Sequence, residues 1–370
     1  MAVRLLTCTL HLLLLHLVTG QCPAPCTCTV SWSGFWHVTC ENISVDEILP
    51  LLPDNTDIIT ISKSQLKTLY TNHFVHFHLD ELRELHLPDN DITDIQTAAF
   101  SGLYNLKVLD LSHNHLTVLN DTALMTLTRL KYLNLAANQF DHVPDIAAQI
   151  TQLENLDLSY NLLTDLTCSA FLALDKLQYL YLKGNSIDSV HNCSFDGLSE
   201  LKELSLQLNP IEHIDFAVFA PLRSLVDLNL SDTKLRDLPD LTLESVGDTL
   251  THLSLAGSNL QQCPVWGRLH TLTHLDISEN NIFSINANDL SSLSGLQQLF
   301  IEDMPTLETI ESHAFNNLTN LRSVLISGNK KLKVFPDDAF LVENWQNVEE
   351  IHLNDNGIQK FTQVFLDKLF

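Results

Sequence analysis

Three histidines, His73, His76 and His78, form an H-x2-H-x-H run with Asp80 and Glu81 close by. Such a set of nitrogen and oxygen donors could hold a transition metal. Metal ligands must converge and be fixed by supporting hydrogen bonds, whereas these histidines alternate with Phe74 and Phe77 in a segment expected to be a surface loop. Solvated loop histidines are the expectation, and no cofactor is implied. Asp110, Asp157 and Asp276 invite a second chemistry, that of a carboxylate array, because they recur at one position of a repeated motif. There is no nucleophile elbow, phosphate-cradling glycine loop or H-E-x-x-H pair, so nothing supplies the partners a carboxylate needs for catalysis. The chain is not expected to be an enzyme.

The cysteines point to the compartment. Residues 1–20 open with Arg4, continue as an apolar run from Leu5 to Val18 and close on Val18-Thr19-Gly20. That is the pattern of a signal peptide cleaved after Gly20, and the run is too short and too broken for a comfortable membrane span. Without Cys8, seven cysteines remain, and Cys22, Cys26, Cys28 and Cys40 crowd the mature N-terminus. An oxidising compartment would pair these four, in any of three ways; a zinc site is the rival reading, which secretion disfavours. Cys168 and Cys193 take nearly matching places in neighbouring repeats and are expected to bridge. Cys263 falls where other repeats carry Ile, Leu or Val, which makes it a free, hydrophobic-like cysteine, with a reactive thiol as the alternative. Sequons at Asn42, Asn120, Asn192, Asn229 and Asn317 fit passage through the secretory pathway.

Formal charge is −25, and removal of Arg4 makes it −26. A surface this acidic repels phosphate backbones, heparin-like chains and anionic lipid heads. Nucleic acid and direct lipid binding are therefore not expected, while a basic partner or screening by Ca2+ would be favoured. Solubility of a long exposed molecule also accounts for the charge.

The elements that position these groups come from a repeat. Leu82-Arg-Glu-Leu85-His-Leu87-Pro-Asp-Asn90 aligns with Leu106 to Asn114, Leu130 to Asn138, Leu153 to Asn161, Leu177 to Asn185 and Leu201 to Asn209. Variants follow from Leu225, Leu250, Leu272, Leu296, Leu321 and Val348, and a divergent first copy spans Thr56 to Ser64. The LxL centre alternates as a short strand must, leucines inward and the intervening residue outward. The Asn carboxamide, with donors and an acceptor, suits a buried turn that joins one repeat to the next. Thr233, Ser258 and Met304 replace it, so local irregularity is expected there. Phe74, Phe100, Phe171, Phe195, Phe219, Phe315 and Phe340 share a place and should stack as an aromatic spine. One repeat cannot bury its own apolar face, so stability must come from stacking.

These LxxLxLxxN copies resemble the leucine-rich-repeat family over nearly all of the mature chain. The resemblance implies an α/β solenoid, a right-handed superhelical horseshoe with a concave parallel sheet and mostly loops with short helical turns on the convex side. About thirteen rungs would occupy residues 56–370, the last truncated, with strands ~4.8 Å apart giving a sheet on the order of 60 Å long. Residues 21–55 resemble the cysteine-rich N-terminal cap of extracellular members, which implies Cys22 with Cys28 and Cys26 with Cys40. The chain stops partway through a rung beside Phe365, Leu366 and Phe370; it is expected to be a fragment, or a product whose end relies on a partner.

Function in this family comes from recognition. The resemblance implies an extracellular receptor, adhesion or innate-immune ectodomain similar to Toll-like, Slit-like or chaoptin-like proteins, with a chondroadherin-like matrix protein as the alternative. The partner would be a protein ligand or matrix component, and homodimerisation is compatible with the pattern. Outward strand positions offer a first patch, Tyr132, Asn134, Asn155, Asp157, Tyr160, Tyr179 and Tyr181, because tyrosine combines large contact area with a polar handle. A second patch is His252, His274, Asp276, Phe300 and Leu325, where adjacent apolar residues face outward and the histidines could confer pH sensitivity. A glycan on Asn229 would stand between the two.

Overall fold

Alternation in each LxL triplet produces the observed strands. In the computed structural model, which describes residues 21–119, 122–146, 150–340 and 347–369, every such triplet has a buried centre flanked by half-buried outward residues until the last repeat. The proposed leader (1–20), Asn120 and Phe370 lie outside the described residues. Two units make up the chain, the first comprising residues 1–138 and 148–150, the second 139–147 and 151–370.

The first unit contains β1 (Thr27–Val30), β2 (Trp36–Glu41), β3 (Thr56–Ser62), β4 (Thr68–Leu69), β5 (Glu84–His86), β6 (Asp94–Ile95), β7 (Val108–Asp110) and β8 (Tyr132–Asn134). β1 pairs antiparallel with β2, and β2, β3, β5, β7 and β8 follow in parallel order. Cys22 is bonded to Cys28 and Cys26 to Cys40, which ties this N-terminal hairpin together. The hairpin is also held to the repeats by Arg83, whose guanidinium lies 5.2 Å from the Phe35 ring centroid and 3.3 Å from Asp57. A short helix, α1 (Val45–Ile48), buries Val45 and Ile48 at the same end.

The second unit contains β9 (Asn155–Asp157), β10 (Tyr179–Tyr181), β11 (Ser189–Val190), β12 (Glu203–Ser205), β13 (His213–Ile214), β14 (Asp227–Asn229), β15 (His252–Ser254), β16 (His274–Asp276), β17 (Ser284–Ile285), β18 (Gln298–Phe300), β19 (Thr309–Ile310), β20 (Ser323–Leu325) and β21 (Glu350–His352). Its main sheet runs β9-β10-β12-β14-β15-β16-β18-β20-β21, all parallel and in register. Two-residue parallel ladders line the opposite flank, β4 with β6 in the first unit and β11 with β13 and β17 with β19 in the second. Turns and one 3-10 turn of helix, Glu244–Val246, are found among the other described residues of that flank in the second unit.

Asparagine supplies the links between rungs. Asn209, 1% exposed, accepts from the Ile187 N–H (3.1 Å) and donates to the carbonyls of Leu182 and Leu206 (both 2.9 Å). Asn114 and Asn280 make the same bonds in their own neighbourhoods. The residue before each ladder position is left-handed, from Lys63 and Asp89 through Tyr160 and Leu208 to Asp355, with φ between 49° and 74°. This conformation costs an L-residue about 1 kcal/mol or more. It turns the N–H toward the next rung, as in Leu208 N–H to the Ser231 carbonyl at 3.0 Å.

The irregularity expected where the ladder lacks Asn does not extend to the sheet. β14, β15, β16, β18 and β20 stay in step. Hydroxyls take over: the Thr233 and Ser258 hydroxyl oxygens lie 2.9 Å apart and each 3.1 Å from the Leu230 carbonyl, so one donates to that carbonyl and the other either to it or to its fellow hydroxyl. Met304 has no such chemistry and is fully buried as core, while its N–H is taken by Asn329. The phenylalanine spine forms stacked pairs rather than one column, Phe74 with Phe100 (5.9 Å), Phe195 with Phe219 (6.4 Å) and Phe315 with Phe340 (4.9 Å, tilted). The apolar C-terminal segment buries one of its aromatic residues. Helix α2 (Gln363–Leu369) folds Phe365 against Phe335 and Phe361 at 5.4 and 5.0 Å, burying it.

Candidate functional site

Outward strand residues are arranged in two columns along each sheet. In the second unit one column reads Asn155, Tyr179, Glu203, Asp227, His252, His274, Gln298 and Ser323. The other reads Asp157, Tyr181, Ser205, Asn229, Ser254, Asp276, Phe300 and Leu325. All are half-buried.

The first predicted patch is divided. Tyr132 and Asn134 belong to β8 of the first unit, and Asn155, Asp157, Tyr179 and Tyr181 to β9 and β10 of the second. Tyr160 is not an outward strand residue. It occupies the left-handed turn after β9 (φ 55°), where its ring packs on Gly184 and meets the Lys183 ammonium at 5.9 Å. A Cβ at position 184 would come within 2.6 Å of that ring, which is why glycine fits there.

The recurrent Asp or Asn at the end of the strand has a local task. One side-chain oxygen of Asp110, Asn134, Asp157, Asn229 and Asp276 accepts from the N–H two residues on, at 2.8–3.0 Å. This Asx turn ends the strand, and it leaves only the second polar atom of Asn134, Asp157 and Asp276 for a ligand. These aspartates are spaced along the sheet as turn formers.

The second predicted patch is brought together. His252 and His274 stack face to face, ring centroids 4.1 Å apart and 14° from parallel. With Asp227, Asn229, Asp276 and Phe300 they line a hollow of about 230 Å3. Leu325 lies one strand beyond Phe300 in the same column. Burial, together with the neighbouring His252, pushes the His274 pKa below its ordinary value, opposed by Asp227. Larger hollows, about 420 and 570 Å3, lie among turns of the first unit near Asn42 and near Thr71.

Two groups went unnoticed in the sequence. Glu203 and Asp227 are direct neighbours on β12 and β14, both with carboxyl pKa raised. Burial raises both; the Asp227 charge raises Glu203 further against a Tyr181 hydrogen bond, while His252 and His274 relieve Asp227. In the first unit His86 lies 3.2 Å from Glu84 and 3.7 Å from Asp110. The nearby carboxylates, Asp110 foremost and then Glu84, raise its pKa against the effect of burial. Burial tends to raise Asp110, but His86 and the Ser112 N–H outweigh it and hold Asp110 low. Reading the outward column down the alignment, rather than scanning for single striking residues, would have exposed both.

The remaining candidates are dispersed. His73 is buried with Nε2 3.4 Å from Asp46, its pKa lowered by burial, while His76 and His78 are exposed. Among the described residues no group of three potential ligands could hold a metal. Asn42 and Asn192 are exposed, the latter accepting from the Ala217 N–H at 3.0 Å; Asn317 is exposed and donates to the Ser291 carbonyl at 3.3 Å. Cys168 is bonded to Cys193. Cys263 is free and half-exposed by surface, yet desolvation of its sulfur drives the thiol pKa strongly upward, the opposite of a reactive thiolate.

Comparison with known proteins agrees with this geometry. A leucine rich repeat family model matches residues 80–140, 151–211 and 185–235, and a BspA type leucine rich repeat region model matches 267–367. Together they cover more than half of the chain. The chain belongs to the leucine-rich-repeat family. It is 34% identical over 134 residues to leucine-rich repeat-containing G-protein coupled receptor 5 of Rattus norvegicus, covering 35% of this chain and 14% of the receptor. It is 31% identical over 142 residues to Homo sapiens epiphycan, covering 37% of this chain and 42% of epiphycan. This leucine-rich-repeat chain thus aligns with less than half the length of either relative. Among solved structures, TLR13 in its complex with ssRNA13 superposes with a TM-score of 0.69 at 25% identity, over 83% of this chain and 48% of TLR13. A leucine-rich-repeat protein of Leptospira interrogans shares the fold, with a TM-score of 0.65 at 23% identity over 89% and 91% of the two chains.

Proposed function

We propose that this chain is the recognition part of an extracellular receptor or adhesion protein, and that it binds a protein ligand through the outward side of the second unit's main sheet. One observation carries the reading: Tyr179, Tyr181, Phe300 and Leu325, large side chains with contact area to offer, occupy outward strand positions while the central residues of the same strands, Leu180, Leu299 and Val324, are fully inside. Three disulfides and the sequons support an extracellular setting. Among the described residues no helix is long and apolar enough to cross a membrane.

A matrix role is the second reading, favoured by the similarity to epiphycan. The TLR13 structure contains ssRNA13, but the charge of −25 here, with Asp157, Glu203, Asp227 and Asp276 on the strand face, opposes a phosphate backbone. A protein partner suits these groups better.

The test is a binding screen of the full chain against purified extracellular and matrix proteins. Each interactor is remeasured with Tyr179→Ala/Tyr181→Ala and with a new glycan on the face, created by Ser205→Asn/Gln207→Thr. Loss of binding in both variants is expected. An interactor that binds both variants as well as the parent would place recognition elsewhere and overturn the reading.

A further inference from the structure

The hollow on β14, β15, β16 and β18 has an unusual hydrogen-bonding character. The Thr251 hydroxyl lies 3.2 Å from the Val226 carbonyl and 2.8 Å from Nδ1 of His252. The Thr273 hydroxyl repeats this with the Thr251 carbonyl (3.0 Å) and Nδ1 of His274 (2.8 Å). A hydroxyl has one hydrogen, and a carbonyl oxygen can only accept. The Val226 and Thr251 carbonyls each also accept two backbone N–H groups, so the threonine can equally give its hydrogen to Nδ1, and the imidazole tautomer follows whichever group approaches Nε2. A donor at that edge selects the tautomer with Nδ1–H, in which Nε2 is an acceptor.

Asp227 and Asp276 add acceptors to the same hollow. Asp276 uses one oxygen for the Ser278 N–H and keeps the other; Glu203 lies one strand further, beside Asp227. Phe300 and the stacked imidazoles provide flat apolar walls. The opening thus combines flat walls, acceptor atoms and negative charge. A complementary group is planar, cationic and rich in donors. Guanidinium meets all three conditions, with five N–H donors, no acceptor and a face that stacks on aromatic rings. An ammonium lacks the plane. A metal ion is poorly served, because lone pairs on parallel stacked rings do not converge on one point.

We propose that this hollow is an arginine-accepting site, in which an arginine side chain of the protein ligand stacks on Phe300, meets the edge of the His252–His274 pair and donates to the carboxylates of Asp227 and Asp276 and to Nε2 of the histidines. The proposal rests on the reading that the strand face binds protein, and it names the chemistry of that ligand. Acid should abolish the site. Protonation turns each Nε2 from acceptor to donor and adds positive charge, and partial protonation of Glu203 and Asp227 acts in the same direction. Gln298 on β18 carries no charge to offset this.

Panning a phage-displayed random peptide library on the full chain at pH 7.5 tests the site. Ser231→Ala is introduced throughout, so that Asn229 at the rim carries no sugar. A counter-chain also bears Asp227→Asn and Asp276→Ser; Ser205 and Ser254 already occupy the column position of Asp276, and neither change creates a sequon, so the fold is retained, as circular dichroism checks. Enriched peptides should contain arginine. They should bind about tenfold or more weakly to the counter-chain, at pH 5.0, and after arginine is replaced by citrulline. No enrichment, enrichment without arginine, equal binding to both chains, or binding that requires added Zn2+ overturns the proposal. A protein ligand lost with Tyr179→Ala/Tyr181→Ala but indifferent to Asp227→Asn/Asp276→Ser overturns the arginine site and leaves the strand-face reading intact.

Discussion

Replacing Asp227 with Asn should stabilise the protein at neutral pH. Asp227 faces Glu203 across adjacent parallel strands, in register and half-buried. Strands lie ~4.8 Å apart, so two carboxylates about 5 Å from each other repel by roughly 0.8 to 3 kcal/mol as the effective dielectric constant goes from 80 to 20. Both remain partly open to water, which keeps the value near the lower end, and like charges directly opposite on a sheet cost up to about 1 kcal/mol. A gain of about 1 kcal/mol follows for Asp227→Asn, which keeps the shape and removes the charge. The pH dependence has a definite sign. The folded-state pKa of Asp227 lies above the ordinary aspartate value, so the folded chain binds the proton more tightly and stability falls as pH rises through that window. The penalty is complete at pH 7.5 and vanishes once the carboxyl is protonated in both states. Urea unfolding followed by tryptophan fluorescence, to which buried Trp266 of the same unit contributes, reads the difference. The variant midpoint should lie above the parent at pH 7.5, and the gap should narrow by pH 4. A variant less stable than the parent at pH 7.5 would refute the argument, because Asp227 would then be contributing favourable bonds to the histidines. An equal gain at both pH values would trace the effect to packing. If the arginine site is also real, this one substitution strengthens the fold while weakening binding.

Asn209→Ala leaves the Ile187 N–H and the Leu182 and Leu206 carbonyls short of a partner in a buried turn. The expected loss is about 3 kcal/mol in a denaturant titration, against about 1 kcal/mol for Thr233→Ala, which removes a hydroxyl; equal losses from the two would discredit the ladder account. His86→Gln should cost on the order of 1 kcal/mol at pH 6 and little at pH 9. The folded-state pKa of His86 is raised by Asp110, so its contribution is complete below the unfolded value and fades as pH rises through the folded one. A deficit that grows with pH would reverse the assignment.

The fold was legible because the repeat encodes it locally. Leu-x-Leu can bury its leucines only as a strand, and Asn90, Asn114 and their counterparts suit a buried turn, so strand, turn and ladder could each be placed from residue type. Thr233 and Ser258 show the limit of that logic: they looked like breaks, but in space they are neighbours, and their hydroxyls converge on the Leu230 carbonyl as the carboxamides of Asn185 and Asn209 converge on that of Leu182. Phe365 gives the same lesson, since its burial depends on Phe335, thirty residues earlier in the chain.

The site was only half legible. His252, His274, Asp276 and Phe300 were recognised as outward-facing, because strand periodicity determines which face a side chain takes. Tyr160 was misplaced because a left-handed turn, not a strand, carries it. What the sequence alone determined is the solenoid, its interior and the columns of residues it shows to solvent, all consequences of a period-two backbone repeated at a regular interval. Only the tertiary structure decided which outward groups act together. The stacking of His252 on His274, the reach of the Thr251 and Thr273 hydroxyls to a carbonyl of the preceding rung and the repulsion between Glu203 and Asp227 depend on distances of a few ångströms between separate rungs, and residues twenty or more apart in sequence acquire such distances only when the rungs are stacked.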